Sequence, residues 1–154
     1  MIKALIIFVV LLLPSLAQAS EKGYTTLRND EVYMRHGPST DHPIKWVYHK
    51  KGLPMEIRNK FDQWTKLRDI NGEEGWIHNS LLSSKSYALV QSDTEKPYIV
   101  LRKKQKKDSA KIARLEDGAL VRVHECEEDA CKVSVSGFKG YVEKKLLWGI
   151  VQSK

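Results

Sequence analysis

The chain has 154 residues and a formal net charge of +7. That length suits one ordinary domain or two very small ones. A basic balance often signals nucleic acid, but an export signal at the start argues against it and leaves anionic envelope polymers, membrane surfaces or acidic proteins as counterparts.

That signal is the first element. Met1-Ile2-Lys3 supplies a short positive region, and Ala4 to Leu13 is an unbroken apolar run. Pro14 breaks it, and Ala17-Gln18-Ala19 has the small-residue pattern of a cleavage site, so the leader is expected over 1–19 and the mature chain from Ser20. The run is shorter than the roughly 20 residues needed to span a bilayer, so an uncleaved anchor is the lesser alternative. No later segment is apolar enough to span, and no lipidation cysteine lies near the cleavage point, which favours a soluble mature protein. Removing Lys3 with the leader lowers the charge from +7 to +6.

Beyond the leader, short β-like runs alternate with turn formers. Val32-Tyr33-Met34 precedes the turn formers Gly37-Pro38-Ser39. Lys45-Trp46-Val47-Tyr48 follows, then the turn Gly52-Leu53-Pro54 and the strand Met55-Glu56-Ile57. Trp64-Thr65-Lys66-Leu67 and Gly75-Trp76-Ile77 flank Asn71-Gly72, a hairpin signal. A boundary is expected near Ser83 to Ala88, dividing the mature chain into 20–85 and 86–154. The second part opens with the basic run Arg102-Lys103-Lys104-Gln105-Lys106-Lys107, read as a solvated loop or, more sharply, as a polyanion contact. Val121-Arg122-Val123 and Lys132-Val133-Ser134-Val135 then flank Cys126 and Cys131. The polar segment between the cysteines reads as a hairpin tip stapled by a disulfide, as export permits. No stretch outside the leader keeps apolar residues at helical spacing.

The second half repeats the first. Met34-Arg35 matches Leu101-Arg102, Gly52 matches Gly118, and Met55-Glu56-Ile57 matches Val121-Arg122-Val123. Lys66-Leu67 falls on Lys132-Val133, Gly75-Trp76-Ile77 on Gly140-Tyr141-Val142, and Leu81-Leu82 on Leu146-Leu147. The offset drifts from 67 to 65 by single residues, as loop insertions and deletions would make it. Two copies are too few for a solenoid. Five or so strands in about 60 residues close only a small barrel, marginal alone, so the copies are expected to pack on each other.

Arg35-His36-Gly37-Pro38-Ser39-Thr40-Asp41 resembles the opening of bacterial SH3-like (SH3b) domains. The K-G turn at Lys51-Gly52, the Trp64 segment, and Gly75-Trp76-Ile77 through Leu81-Leu82 continue the likeness. The chain is similar to exported proteobacterial proteins with two tandem SH3b domains. The resemblance implies an all-β fold of two tandem SH3-like barrels and a binding role toward cell-wall peptides or proteins. It also turns export into a periplasmic location. The second copy departs from the pattern, losing the Gly and Pro of the opening loop, with Ala130 at the Trp64 position and Tyr141 at Trp76. An A-L-Y-D-Y stretch is missing, which argues against polyproline binding.

Chemistry is hard to place on these residues. His36, His42, His49, His78 and His124 form no zinc pattern, and no metal or cofactor is expected. There is no nucleophile motif, and Asp62, Glu73 and Glu74 sit in turns without an apolar setting to raise a carboxyl pKa. The two copies leave no room for a hydrolase domain, so no enzyme is expected. Binding would show in the aromatics Tyr33, Trp46, Tyr48, Phe61, Trp64 and Trp76, most of which should be core. The candidate ligand site is Tyr33, Arg35, Gly37, Pro38, Trp46 and Tyr48, with Trp46 and Tyr48 on one strand face. A cation–π capture of a partner lysine or a wall-peptide amine is physically available there. The expected function is a non-catalytic exported module recognising peptidoglycan peptides. The alternative is an adaptor or scaffold binding another envelope protein, including one that regulates a separate wall hydrolase.

Overall fold

The computed structural model describes residues 23–92 and 95–151. The expected leader and its cleavage site lie outside the described residues. Two seven-stranded antiparallel sheets follow one another along the chain. The first contains β1 (Tyr24–Leu27), β2 (Val32–Arg35), β3 (Ile44–Tyr48), β4 (Pro54–Phe61), β5 (Trp64–Arg68), β6 (Glu74–His78) and β7 (Leu82–Ser83), ordered β3-β2-β6-β5-β4-β1-β7. The second contains β8 (Tyr87–Val90), β9 (Tyr98–Arg102), β10 (Lys111–Glu116), β11 (Leu120–Cys126), β12 (Ala130–Val135), β13 (Phe138–Glu143) and β14 (Leu147–Trp148), in the corresponding order. Among the described residues the only helical pieces are 3-10 turns at Asn79–Leu81 and Lys144–Leu146.

The strand count exceeds the five or so expected. β1 and the two-residue β7 carry too little alternation to stand out in sequence, and they form by pairing with β4 and with each other. Each sheet curls into a small barrel. Leu27 of β1, Tyr48 of the edge strand β3, Met34, Met55, Leu67 and Ile77 share one buried cluster. Flat strands about 4.8 Å apart would hold β1 and β3 too far apart to share a core.

The core also corrects the expectation about aromatics. Of the six named, only Tyr48 is buried; Trp64 and Trp76 are half-buried, and Tyr33, Trp46 and Phe61 are exposed. Leucine, isoleucine, valine and methionine fill so small an interior, leaving little volume for rings.

The repeat is a repeat of geometry as well as of sequence. Gly52 N donates to Leu27 O and Gly118 N to Val90 O, both at 2.8 Å. Both glycines have positive φ, +83° and +74°, a conformation that disfavours side chains. Gly75 and Gly140 each sit where a Cβ would run into the neighbouring β2 or β9 backbone. The two barrels also pack together. Tyr24 of the first meets Trp148 of the second edge to face at 5.5 Å. Gly149 lies so close to Pro54 that a Cβ there would collide.

Cys126 and Cys131 are directly paired across β11 and β12 and are disulfide-bonded. The staple closes the hairpin tip expected from the sequence.

Candidate functional site

Register decides which of the candidate residues meet. On β2 and β3, Val32 pairs with Tyr48 and Met34 with Trp46. Paired residues point to the same side, so Trp46 and Tyr48 share the face of the buried Val32 and Met34. Tyr33 and Arg35 alternate with these and lie on the opposite face. The six candidates therefore fall into two groups.

The first group is Trp46 and Tyr48. Their ring centroids are 6.5 Å apart, and both line a cavity of about 190 Å³ with Leu53, Pro54, Asp69, Ile70 and Leu89. Tyr48 is a wall of the core, 6% exposed, whereas Trp46 at the barrel edge is 49% exposed. A bulge places Trp46 there. Met34 pairs with Trp46 but Arg35 pairs with Ile44, so Lys45 is an extra residue in β3. Lys45 Nζ is anchored on Glu74 O at 2.8 Å and Glu73 Oε2 at 3.1 Å.

Asp69 joins the cavity to the β5–β6 turn. It is 7% exposed, and its Oδ1 accepts from the backbone N of Asn71 and of Glu73, both at 2.9 Å. Its Oδ2 accepts from Tyr48 OH at 3.0 Å. Burial, reinforced by the Asp69 charge and that hydrogen bond, pushes the Tyr48 hydroxyl far above the ordinary tyrosine range. Tyr48 therefore stays protonated and donates. The cleft offers two aromatic rings, apolar walls and, as its charged lining residue, Asp69.

The second group belongs to the outer face and the loop. Arg35 Nη1 donates to His42 O at 2.8 Å, and Ser39 Oγ meets His42 Nδ1 at 2.8 Å. Gly37 is buried under the His42 ring, which occupies the space a Cβ would need. Arg35, Gly37 and Pro38 thus belong to a self-bonded loop, and the Tyr33 hydroxyl donates to Glu31. Among the described residues no group of three or more His, Cys, Asp or Glu could hold a metal ion.

Sequence reasoning did not single out Asp69, Leu53, Pro54, Ile70 or Leu89 as part of the cleft. Asp69 had a signal, since an aspartate two residues before Asn71-Gly72 suits a side-chain-closed turn. Leu89 comes from the second barrel, and no local pattern points to it. A second cavity, of about 300 Å³, lies between the barrels, bordered by Thr25, Thr26 and the serines of the connection.

The same register exposes the difference between the copies. Leu101 pairs with Ala113 and Arg102 with Lys111, so Ile112 takes the place of Lys45 and Ala113 that of Trp46. Leu115 stands where Tyr48 does, and Val100 where Tyr33 does. The turn that Asp69 closes is replaced by the two-residue turn Ser136-Gly137.

Comparison with known proteins fits this two-copy architecture. The profile of the family described as "Bacterial SH3 domain" matches twice, at residues 28–84 and 95–149. The chain belongs to the bacterial SH3 domain family. SH3b is a family of binding domains, and this chain carries two of them in tandem. No curated protein sequence matches the chain. Among solved structures it is similar to NlpC2 from Trichomonas vaginalis, with TM-score 0.37 and 11% identity over 82% of this chain and 48% of that one. NlpC1 from the same organism gives TM-score 0.37 and 11% identity over 91% and 50%. An NlpC/P60 family protein from Bacillus cereus ATCC 10987 gives 0.36 and 10% over 82% and 56%. The SH3b chain spans about half the length of these proteins.

Proposed function

We propose that this SH3b protein is a non-catalytic, exported, periplasmic binding module whose first domain, residues 20–85, takes a cell-wall peptide in the Trp46–Tyr48 cleft. The second domain, 86–154, braces the first through the packed junction. The observation that carries this reading is Trp46, a large ring held half-exposed beside Tyr48 over a cavity. A bare indole on an edge strand exposes apolar surface to water, and recognition sites are where such rings are used. Aromatic faces next to the Asp69 carboxylate suit an amine-bearing side chain, through cation–π and charge attraction. Amine-bearing peptides of the wall meet that description. The alternative, a grip on another envelope protein, draws on Ile44, which is exposed on the same edge strand as Trp46.

The test is co-sedimentation of the purified protein with insoluble peptidoglycan sacculi at low and near-physiological salt. Retention that survives the salt, and is lost in Trp46→Ala without loss of fold, supports wall-peptide recognition. Retention equal in Trp46→Ala and wild type removes the cleft from the reading. No retention at either salt sinks wall binding and turns attention to protein partners.

A further inference from the structure

The loop between β9 and β10 repeats the scaffold of the loop between β2 and β3. Arg102 Nη1 donates to Ser109 O at 3.0 Å, as Arg35 Nη1 does to His42 O. Lys103 N donates to Ala110 O at 2.9 Å, as His36 N does to Pro43 O at 3.1 Å. Ser109 N donates to Lys106 O at 3.0 Å, as His42 N does to Ser39 O at 3.4 Å. The first loop reaches this backbone with His36-Gly37-Pro38-Ser39-Thr40-Asp41-His42-Pro43, which contains no lysine or arginine. The second reaches it with four lysines, Lys103, Lys104, Lys106 and Lys107.

Lysines are therefore not what the turn needs. Crowding four ammonium groups into one loop costs repulsion, and Asp108 is the only carboxylate within it. Among the described residues none of the four lysines forms an ion pair. The Lys104 backbone N is fixed by Ser109 Oγ at 2.8 Å, so the charges are displayed on an ordered tip. Residues 103–108 are all exposed, so the four lysines are open to solvent. Neither cavity described above is lined by residues 103–108, so this cationic loop offers no cleft for a polymer strand and meets an extended anionic surface instead.

We propose that this loop docks the protein electrostatically on a bilayer bearing anionic phosphate headgroups. None of the large exposed apolar side chains lies in the loop, so the attachment is peripheral and reversed by salt. Each lysine at such a surface strengthens binding about fivefold, so the four together supply roughly two to three orders of magnitude.

The test is sedimentation with vesicles of phosphatidylcholine alone and of phosphatidylcholine with phosphatidylglycerol, at low and near-physiological salt. The loop variant K103Q/K104Q/K106Q/K107Q is compared with K50Q/K51Q/K60Q/K85Q, which removes the same charge from exposed positions elsewhere. The expected result is salt-sensitive binding to the anionic vesicles only, lost by about a hundredfold or more in the loop variant and by far less in the control. Equal losses in the two variants, or equal binding to neutral vesicles, overturn the proposal. Loop-dependent binding to soluble polyglutamate with no retention on either vesicle also overturns it. Circular dichroism of both variants keeps misfolding from passing as lost binding.

Discussion

Tyr48→Phe probes the link between the core and the cleft, because it removes one hydroxyl from a buried ring and nothing else. The hydroxyl donates to Asp69 Oδ2 at 3.0 Å, a hydrogen bond to a charged acceptor. Such bonds contribute about 1.5–3 kcal/mol. Asp69 keeps its two backbone amide donors in the variant, so the loss should sit at the low end, about 1.5 kcal/mol at neutral pH. The pH dependence is the sharper part. The folded-state pKa of Tyr48 is raised by burial and by Asp69, while unfolded tyrosine ionises near 10. The stabilising contribution is fully present below about pH 10 and is lost as pH rises toward the folded value. One unit above the unfolded value, the wild type has lost about 1.4 kcal/mol through this residue, and Tyr48→Phe has lost none. Other tyrosines, including Tyr24 with its own raised pKa, are common to both proteins and cancel in the difference. Urea unfolding followed by circular dichroism from pH 7 to 11 reads this directly. The stability gap between wild type and variant should close above pH 10. Parallel curves across that range would refute the assignment of a buried, protonated Tyr48 donor.

Three further perturbations address the frame around the site. Arg68→Met leaves Arg58 as the remaining guanidinium partner of the Glu56 carboxylate, which is 1% exposed and accepts from Arg68 Nε at 2.9 Å and Arg58 Nη1 at 3.1 Å. The cost should be about 3 kcal/mol in urea unfolding, and Arg58→Met should cost less. Cys126→Ser/Cys131→Ser opens a small loop closed over a separation of five residues, and thermal melts should show a loss of about 2 kcal/mol confined to the second barrel. Gly140→Ala drives a methyl against the Arg102 carbonyl oxygen, and Gly75→Ala drives one to 2.8 Å from Arg35 O. Each should destabilise its own barrel by about 1–3 kcal/mol in denaturant titrations.

The tandem architecture was readable because the repeat has an ordered register, and the disulfide hairpin because polar residues separate two cysteines between strand-like runs. The pairing of Trp46 with Tyr48 on one face followed from alternation alone. The same alternation excludes Tyr33 and Arg35 from that face, but only the register with β3 makes this visible. Register depends on the bulge at Lys45, whose anchors Glu73 and Glu74 lie 28 and 29 residues further along the chain. Leu89 reaches the cleft through packing between barrels, which leaves no periodic trace in either copy. The aromatic count misled for a related reason. Composition reports how many rings there are, not that aliphatic side chains have already filled the interior.

The copies keep one scaffold and differ in what they display on it. Each has the arginine that ties its long loop, the left-handed glycine just before β4 or β11, and the glycine under β2 or β9. These positions serve the fold, so their retention says little about binding. The displayed residues diverge in a correlated way. Where the first barrel has Lys45, Trp46, Tyr48 and the Asp69 turn, the second has Ile112, Ala113, Leu115 and Ser136-Gly137, and it carries four lysines on the loop between β9 and β10. Changing Ala113→Trp alone should not create a second cleft. Leu115 offers no hydroxyl, and the shortened turn has no carboxylate for one to meet. A cleft of this kind needs the bulge anchor, both rings and the aspartate turn together, and only the first barrel holds all four.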